Sequence, residues 1–285
     1  MKKLLFVAVV LAASVAMADI TSAHAVTNET HRLSDVIETA PGSMAPTWKG
    51  CHVQGFAFSD DAAYLGVDRS GIYKFDLKGM LLAHVDTPNH TGDICWHKGR
   101  LYTSVLVLAG PRPKHSGIVQ VYDGNLKLLR EAFLEQGVDG ICARDDKLYL
   151  GMFTTSTCHR VNQIGVMDIA TLALERRMEI DTGCDTAWGP QGLTCVDGDF
   201  WVSFYSERPL VVFDADWKLK FTFDLTASAG LSAVPASMRG SRPRIGRGTN
   251  FQRADGDVAY RIDFHELSDG KLIPVSSGLS QDGRK

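Results

Sequence analysis

The pattern of hydrophobic and polar positions along the chain repeats about every 46 residues. Within each repeat, short runs rich in Val, Ile, Tyr, Phe and Trp alternate with polar turns such as Asp-Asp, Lys-Gly and Asp-Gly, which is typical of β-hairpins. An Asp closes one apolar run in each repeat, at intervals of 45 to 49 residues. These residues are Asp76, Asp123, Asp168, Asp214 and Asp263.

Each repeat supplies about four strands, and four antiparallel strands in a repeat of this length indicate one blade of a β-propeller. We therefore predict an all-β propeller over residues 51–276 and a flexible tail at 277–285. Five blades are favoured, with six as the alternative. The stretch 31–41 resembles an outer strand without its blade, so the N-terminal segment 26–50 is expected to supply a strand that closes the ring.

One position in the second strand of four repeats is aromatic, and it is occupied by Tyr64, Tyr102, Tyr149 and Trp201. Large aromatic side chains at equivalent positions of a repeat are suited to packing between neighbouring units. We expect them to lie between blades and not to form a stacking platform for sugars.

The N-terminus has the pattern of a bacterial secretory signal peptide. Two Lys residues follow Met1, an apolar run continues to Val15, and Ala-x-Ala sites stand at 16–18 and 23–25. The apolar run is shorter than the roughly 20 residues that span a bilayer. We expect a signal peptide at residues 1–25, a periplasmic or extracellular protein, and no membrane association after cleavage.

Composition bears on whether the protein binds nucleic acid and on whether it contains disulfides. The net charge is −3, whereas a general nucleic-acid binder would carry a basic face. Six cysteines in an exported chain are compatible with disulfides. Cys158 and Cys184 fall in consecutive loops on the same predicted face, and we predict that they pair.

The strongest candidates for chemistry lie around the mouth of the channel, where loops are held by a rigid scaffold. His52 and His90 occupy equivalent positions before the first strand of successive blades, and Asp139 lies one blade further. Such groups can bind a divalent metal, zinc or calcium, with a position open for water. They can also act as acid–base catalysts near neutrality. A third alternative is that the histidines only hold neighbouring loops together.

Candidate substrate contacts form two groups. Polar and aromatic residues from the loops of the same face are Gln54, Asp93, His115, Arg160, Trp188, Gln191 and Tyr205. The second group is Arg244 and Arg247, in a segment, 237–253, with five Arg and no acidic residue before Asp255. Guanidinium groups match carboxylate, sulfate and phosphate. An anionic substrate is expected if this segment lines the mouth; the alternative is a solvated loop.

The residues Gln-Gly, Leu-Tyr, Asp and Gly recur in this order over residues 50–275. This pattern resembles bacterial β-propeller repeats of the NHL-like and SMP-30/gluconolactonase-like kind. For the SMP-30-like enzymes this implies acidic and amide ligands for a divalent metal. The matching blade starts carry Gln54, Asp139 and Gln191, without a Glu-Gly motif. The stretch "GPQGLTCVDG" is also similar to plant-type glutaminyl cyclases, which implies a five-bladed secreted acyltransferase.

These observations leave three functions. The first is an exported hydrolase or lyase that acts on a small, anionic substrate at the channel mouth, with His52, His90 and Asp139 as metal ligands or acid–base groups. The second is a non-catalytic propeller that binds a protein, peptide or glycan. The third is an acyltransferase of the glutaminyl-cyclase type. Enzyme and binder are close alternatives, and clustered histidines favour the enzyme.

Overall fold

The computed structural model describes residues 51–77, 80–87, 89–154, 159–205, 209–238, 244–252, 258–268 and 270–275. The predicted signal peptide, closing strand and tail lie outside these residues. The strands are Val53–Phe58 (β1), Ala62–Val67 (β2), Gly71–Asp76 (β3), Leu81–Val85 (β4), His90–His97 (β5), Arg100–Leu106 (β6), Gly117–Tyr122 (β7), Leu128–Leu134 (β8), Val138–Arg144 (β9), Lys147–Met152 (β10), His159–Asp168 (β11), Leu174–Thr186 (β12), Pro190–Val196 (β13), Asp199–Phe204 (β14), Leu210–Phe213 (β15), Leu219–Phe223 (β16), Leu231–Ala233 (β17), Arg244–Gln252 (β18), Val258–Ser268 (β19) and Lys271–Pro274 (β20). A 3₁₀ helix spans Ala236–Met238.

The strands form five antiparallel sheets of four, each made from consecutive strands: β1 to β4, β5 to β8, β9 to β12, β13 to β16 and β17 to β20. The chain is therefore a five-bladed β-propeller, as predicted. In each blade the first strand is innermost and the fourth is outermost. In the described part of the chain, no helix is long and apolar enough to cross a membrane.

The repeated Asp has a structural role in the turn between the third and fourth strands. The Oδ1 atom of Asp123 accepts backbone N–H bonds from Asn125 and Lys127 at 2.8 and 3.0 Å, an Asx-type turn in which the carboxylate replaces a backbone acceptor. Asp76, Asp168 and Asp214 also accept backbone N–H bonds, from residues two to four positions later. The 46-residue period therefore arises because a turn that begins at an Asp recurs in each of the first four blades.

Asp263 departs from this pattern. It lies inside β19 and forms ion pairs with Arg247 and Arg261, at 2.6 and 2.8 Å. Asp263 follows Asp214 by 49 residues, and this spacing correctly located the fifth blade. It did not locate a turn, because Asp263 lies inside a strand.

The apolar core is divided among the five seams between blades. One cluster of buried side chains fills each seam, from the first and second blades round to the fifth and first. Tyr64 stacks on Trp96 of the next blade with ring centroids 5.3 Å apart, and Tyr149 contacts Phe200 of the next blade at 4.5 Å. The repeated aromatics pack between blades, as predicted.

The ring closes between the fifth and first blades. The side chain of Asn250 in β18 accepts a hydrogen bond from the Val53 N–H at 3.1 Å and donates one to the Val53 carbonyl at 2.7 Å. Phe56 and Tyr260 pack edge to face across the same seam, 6.1 Å apart. Within the described residues, all four strands of the fifth blade come from one continuous stretch.

Candidate functional site at the channel mouth

The first strands of all blades begin on one face, which we call the mouth face. The loops between the second and third strands lie on the same face. In the first four blades the pairing between the first two strands shifts register at the mouth end, for example between Val53 and Gly55 and between Pro190 and Gly192. Such bulges redirect side chains, and here they accompany the polar residues at the blade starts.

Two histidines and a carboxylate meet at the mouth. Asp68, in the loop after β2, accepts a hydrogen bond from His90 Nδ1 at 2.7 Å and lies 3.8 Å from His52 Nδ1. Arg69 Nε donates to the other oxygen of Asp68 at 3.0 Å. The side chains of Asp68 and His90 are 5% and 13% exposed, whereas that of His52 is 39% exposed. His52 is therefore the outermost member.

Gln54 fixes the orientation of both imidazoles. Its Nε2 atom lies 2.6 Å from His52 Nε2 and 3.1 Å from His90 Nε2. Because Asp68 accepts at the Nδ1 side of His90, that nitrogen carries the proton and Nε2 is an acceptor. Both histidines are thus assigned as neutral Nδ1–H tautomers, with their Nε2 atoms facing the Gln54 amide.

Asp139 approaches the same imidazole from the inner side. Its Oδ1 atom lies 3.8 Å from His90 Nε2, and its Oδ2 accepts a long hydrogen bond of 3.4 Å from Gln191 Nε2. Gly92 leaves room for this approach, since a Cβ there would lie 2.9 Å from Asp139 Oδ1. His90 is therefore flanked by two buried carboxyl groups.

Burial and charge separate the acid–base properties of these groups. Burial disfavours ionisation of Asp68, but the hydrogen bond and charge of His90 outweigh it and lower the Asp68 pKa. Burial raises the pKa of Asp139 to about 6. For His90, burial opposes the charged form, but Asp68 and Asp139 together raise its pKa. Burial lowers the pKa of His52. Groups with such divergent pKa values are suited to proton transfer.

Asp93 is buried in the centre of the ring and not at a surface that a substrate reaches. It is 0% exposed, and its Oδ2 accepts the backbone N–H bonds of Ile141 and Leu193 from the next two blades, at 3.3 and 2.8 Å. A Cβ on Gly55 would lie only 2.4 Å from its Oδ1 atom. Asp93, a predicted substrate contact, instead links three inner strands by hydrogen bonds. Burial raises the pKa of its carboxyl group well above the usual range.

The two predicted anion-binding arginines are held by intrablade ion pairs. Arg244 lies at the end of β18 remote from the mouth and pairs with Glu266 at 2.8 Å. Arg247 pairs with Asp263 and donates to the Thr226 carbonyl at 3.2 Å. These guanidinium groups therefore already contact acidic partners, and the anionic substrate stays a prediction.

Two further predicted contacts lie at the rim. The exposed side chain of Arg160 pairs with Asp181 at 2.8 Å, and Tyr205 is 51% exposed. Among the described residues, neither side chain forms a hydrogen bond with His52, Gln54 or His90.

An open groove of about 590 Å³ lies at the seam of the second and third blades on the mouth face. It is lined by His115, Glu135, Gln136, Phe153, Thr154, His159, Val161, Gln163 and Glu179. Phe153 is 5.2 Å from the ring of His115 and 5.7 Å from that of Trp188. His115 and Trp188, two predicted substrate contacts, thus belong to a row of aromatic rings beside the groove.

The predicted metal site is not assembled as a ligand set. No group of three or more His, Cys, Asp or Glu side chains in the described part of the chain is arranged to hold a metal ion. The reason is visible at His52 and His90, whose Nε2 atoms both face the Gln54 amide, while Asp139 remains 3.8 Å away. His52 and His90 are joined through Gln54, and Asp139 lies beside His90 without a direct hydrogen bond.

The predicted disulfide involves a residue outside the described ranges, Cys158. No disulfide joins two cysteines within the described ranges. The pairing of Cys158 with Cys184 stays a prediction.

Sequence reasoning missed Asp68 as a site residue, together with Phe153, Glu135 and Glu179 of the groove. Asp68 is one of several acidic residues after a strand, and its only local signal is a place in the loop between the second and third strands. Its importance comes from the imidazole of His90, 22 positions away, which only the ring arrangement reveals.

Comparison with known proteins establishes the fold. The chain is similar to glutaminyl cyclase of Myxococcus xanthus, with a TM-score of 0.55 and 13% identity over 79% of this chain and 97% of that chain. It is also similar to hydrazine synthase of Kuenenia stuttgartiensis, with a TM-score of 0.47 and 14% identity over 83% and 69% of the two chains. BamB of Moraxella catarrhalis gives 0.39 and 14% over 78% and 75%. No family model and no curated protein matches the sequence, so the NHL-like and SMP-30-like resemblance stays a prediction.

Proposed function

We propose that the protein is an exported enzyme that uses acid–base catalysis at the mouth of the propeller, in the hydrolysis or related acyl transfer of an ester, lactone or amide. The observation that supports this most is the flanking of one imidazole by two buried carboxyl groups. Asp68 lies 2.7 Å from His90 Nδ1, and Asp139 lies 3.8 Å from His90 Nε2. A base oriented by a carboxylate is the arrangement that nucleophile activation requires.

The roles follow from geometry and pKa. Asp68 stays ionised, holds the Nδ1–H of His90 and stabilises the imidazolium that forms when Nε2 takes a proton. The 3.8 Å between His90 Nε2 and Asp139 Oδ1 is too long for a direct hydrogen bond. One water or substrate oxygen can bridge it once that oxygen displaces the Gln54 amide, which lies 3.1 Å from Nε2. His90 then takes the proton of the attacking group, and protonated Asp139 supplies one to the leaving group.

The test is turnover by single variants. Wild type, His90→Gln, Asp68→Asn and Asp139→Asn would be assayed on chromogenic esters, lactones and amides, with Asp145→Asn, in an exposed turn, as the matched control. Loss of a general acid or base is expected to lower kcat by about 10²- to 10⁴-fold. Turnover that survives His90→Gln in a folded protein would contradict the proposal and favour a binding propeller.

A second candidate is cyclisation of an N-terminal glutaminyl residue, which is an intramolecular acyl transfer that releases ammonia. The similarity to Myxococcus xanthus glutaminyl cyclase over 97% of that chain is the observation that favours including it, although the similarity shows only a shared fold. The reaction needs one proton moved from the attacking amine to the departing ammonia, a task that His90 and Asp139 could share. Ammonia release from a glutaminyl dipeptide, compared with ester and lactone turnover, separates the two candidates.

A further inference from the structure

The wall of the groove between the second and third blades is held in place by close packing and by hydrogen bonds to the backbone. Gly137 permits its close packing, since a Cβ there would lie 2.8 Å from the His115 carbonyl and 3.0 Å from Phe153 Cβ. Gln136 Nε2 donates to the Phe153 carbonyl at 3.2 Å. The Thr154 N–H donates to the Trp188 carbonyl at 3.3 Å. The aromatic wall is therefore fixed by hydrogen bonds on both sides of Phe153.

The groove also offers apolar contact. Val161, on β11, is 49% exposed and lines the groove together with Phe153. A volume of about 590 Å³ lies within the range that accommodates a small organic molecule. A ligand with an apolar body would cover both side chains, and aromatic rings also attract cations to their faces.

The charge of the groove has one sign. Glu135 and Glu179 line it, and no Lys or Arg does. Among the described residues, no hydrogen bond or ion pair joins either Glu side chain to another residue, although the backbone of Glu179 pairs with Gln163. The cations nearest along the chain do not line the groove: Lys114 precedes His115, Arg160 is paired with Asp181, and Arg176 and Arg177 precede Glu179 on β12. Within the described part of the chain, the lining therefore holds two carboxylates and two imidazoles, with no Lys or Arg.

We propose that this groove binds an organic cation, an amine attached to an apolar body, with Phe153 and Val161 against the body and Glu135 and Glu179 near the ammonium group. The inference does not rest on the proposed reaction at His90, because binding here is measured without turnover. A free amine and a lysine side chain of a peptide share this chemistry, and the experiment distinguishes them.

The test is binding by calorimetry and by NMR shifts of the full mature chain. The probes are phenethylamine, its neutral counterpart 2-phenylethanol, the anion 3-phenylpropionate, and acetyl-Phe-Lys-amide as the peptide arm. Phenethylamine is expected to bind about tenfold more tightly than the alcohol, because two exposed carboxylates each contribute a modest attraction. The anion is expected to bind more weakly than the alcohol. Tighter binding of acetyl-Phe-Lys-amide than of phenethylamine would identify a peptide as the natural ligand, and the reverse would identify a free amine.

Variants locate the site. Glu135→Gln combined with Glu179→Gln keeps both side-chain shapes in exposed positions, and is expected to remove the tenfold preference for the amine while leaving alcohol binding unchanged. Asp145→Asn, on the opposite face, is expected to keep the preference. Equal binding of the amine and the alcohol by wild type would overturn the proposal. So would an unchanged preference in the double variant, or no amine binding at about 10 mM, where even a very weak site is occupied.

Discussion

The burial of Asp139 beside His90 leads to a stability prediction whose sign is opposite to that of a salt-bridged carboxylate. The pKa of Asp139 is raised from 3.8 to about 6 in the folded protein, so folding favours its protonated form. A raised carboxyl pKa contributes stability below the unfolded value, near pH 4, and that stability is lost as the pH rises through about 6. At pH 8 the folded protein thus carries a cost of roughly 3 kcal/mol for this charge.

The substitution Asp139→Asn removes that cost. At pH 4.5 the Asp139 carboxyl of the folded protein is mostly protonated, and the cost is only about 1 kcal/mol. The gain in free energy of unfolding from the substitution is therefore expected to be about 2 kcal/mol larger at pH 8 than at pH 4.5. Any constant penalty for the amide against Gln191 and His90 cancels in this difference. The same variant is expected to lose turnover if Asp139 is the acid of the reaction.

The assay is urea unfolding of the wild type and the variant at both pH values, with the slope on urea checked for two-state behaviour. Asp145→Asn serves as the control, because the Asp145 side chain is 83% exposed and its substitution should have the same small effect at both pH values. A gain that is equal at pH 4.5 and pH 8, or a variant that is less stable only at pH 8, would refute the argument.

Three further predictions concern the cluster and the ring. Nitrogen-15 NMR at pH 8 should show Nδ1–H tautomers for His52 and His90, and on acidification His90 should protonate before His52; the opposite order would contradict the assigned hydrogen bonds. Asp93→Ala should lower the free energy of unfolding by roughly 2 to 5 kcal/mol, because two buried N–H groups lose their acceptor, and Asp93→Asn should cost less in the same urea titration. Asn250→Ala should destabilise the closing seam by about 1 to 3 kcal/mol, seen as a lower Tm with faster proteolysis near Val53; an unchanged Tm would show that apolar packing alone closes the ring.

Local sequence determined most of the fold. The Asx turn at Asp76 and its repeats recurs because a carboxylate can satisfy nearby backbone N–H groups, and a repeating turn appears as a repeating letter. The blade count followed from it. Where the turn chemistry changed, at Asp263, the repeat still located the fifth blade although the residue has a different role.

The site was predicted only in part. His52, Gln54, His90, Asp139 and Gln191 could be placed on one face, because equivalent blade positions lie on one face of the ring. Their chemistry could not be assigned, since the choice between metal ligand and hydrogen-bond partner depends on a few tenths of an ångström and on which nitrogen faces which neighbour. The arginine-rich segment shows the same limit, because its sequence contains none of the acidic partners that the structure supplies.

The sequence by itself determined what depends on neighbours along the chain: the hairpins, their turns, the period and so the propeller. The tertiary structure decided what depends on neighbours across the ring. It brings Asp68 within hydrogen-bond distance of His90 and buries Asp93 among three inner strands. It also places Glu135 and Glu179 in the same groove as Phe153. The physical reason is that the burial and charge that change a carboxyl group's pKa come from residues brought close by folding.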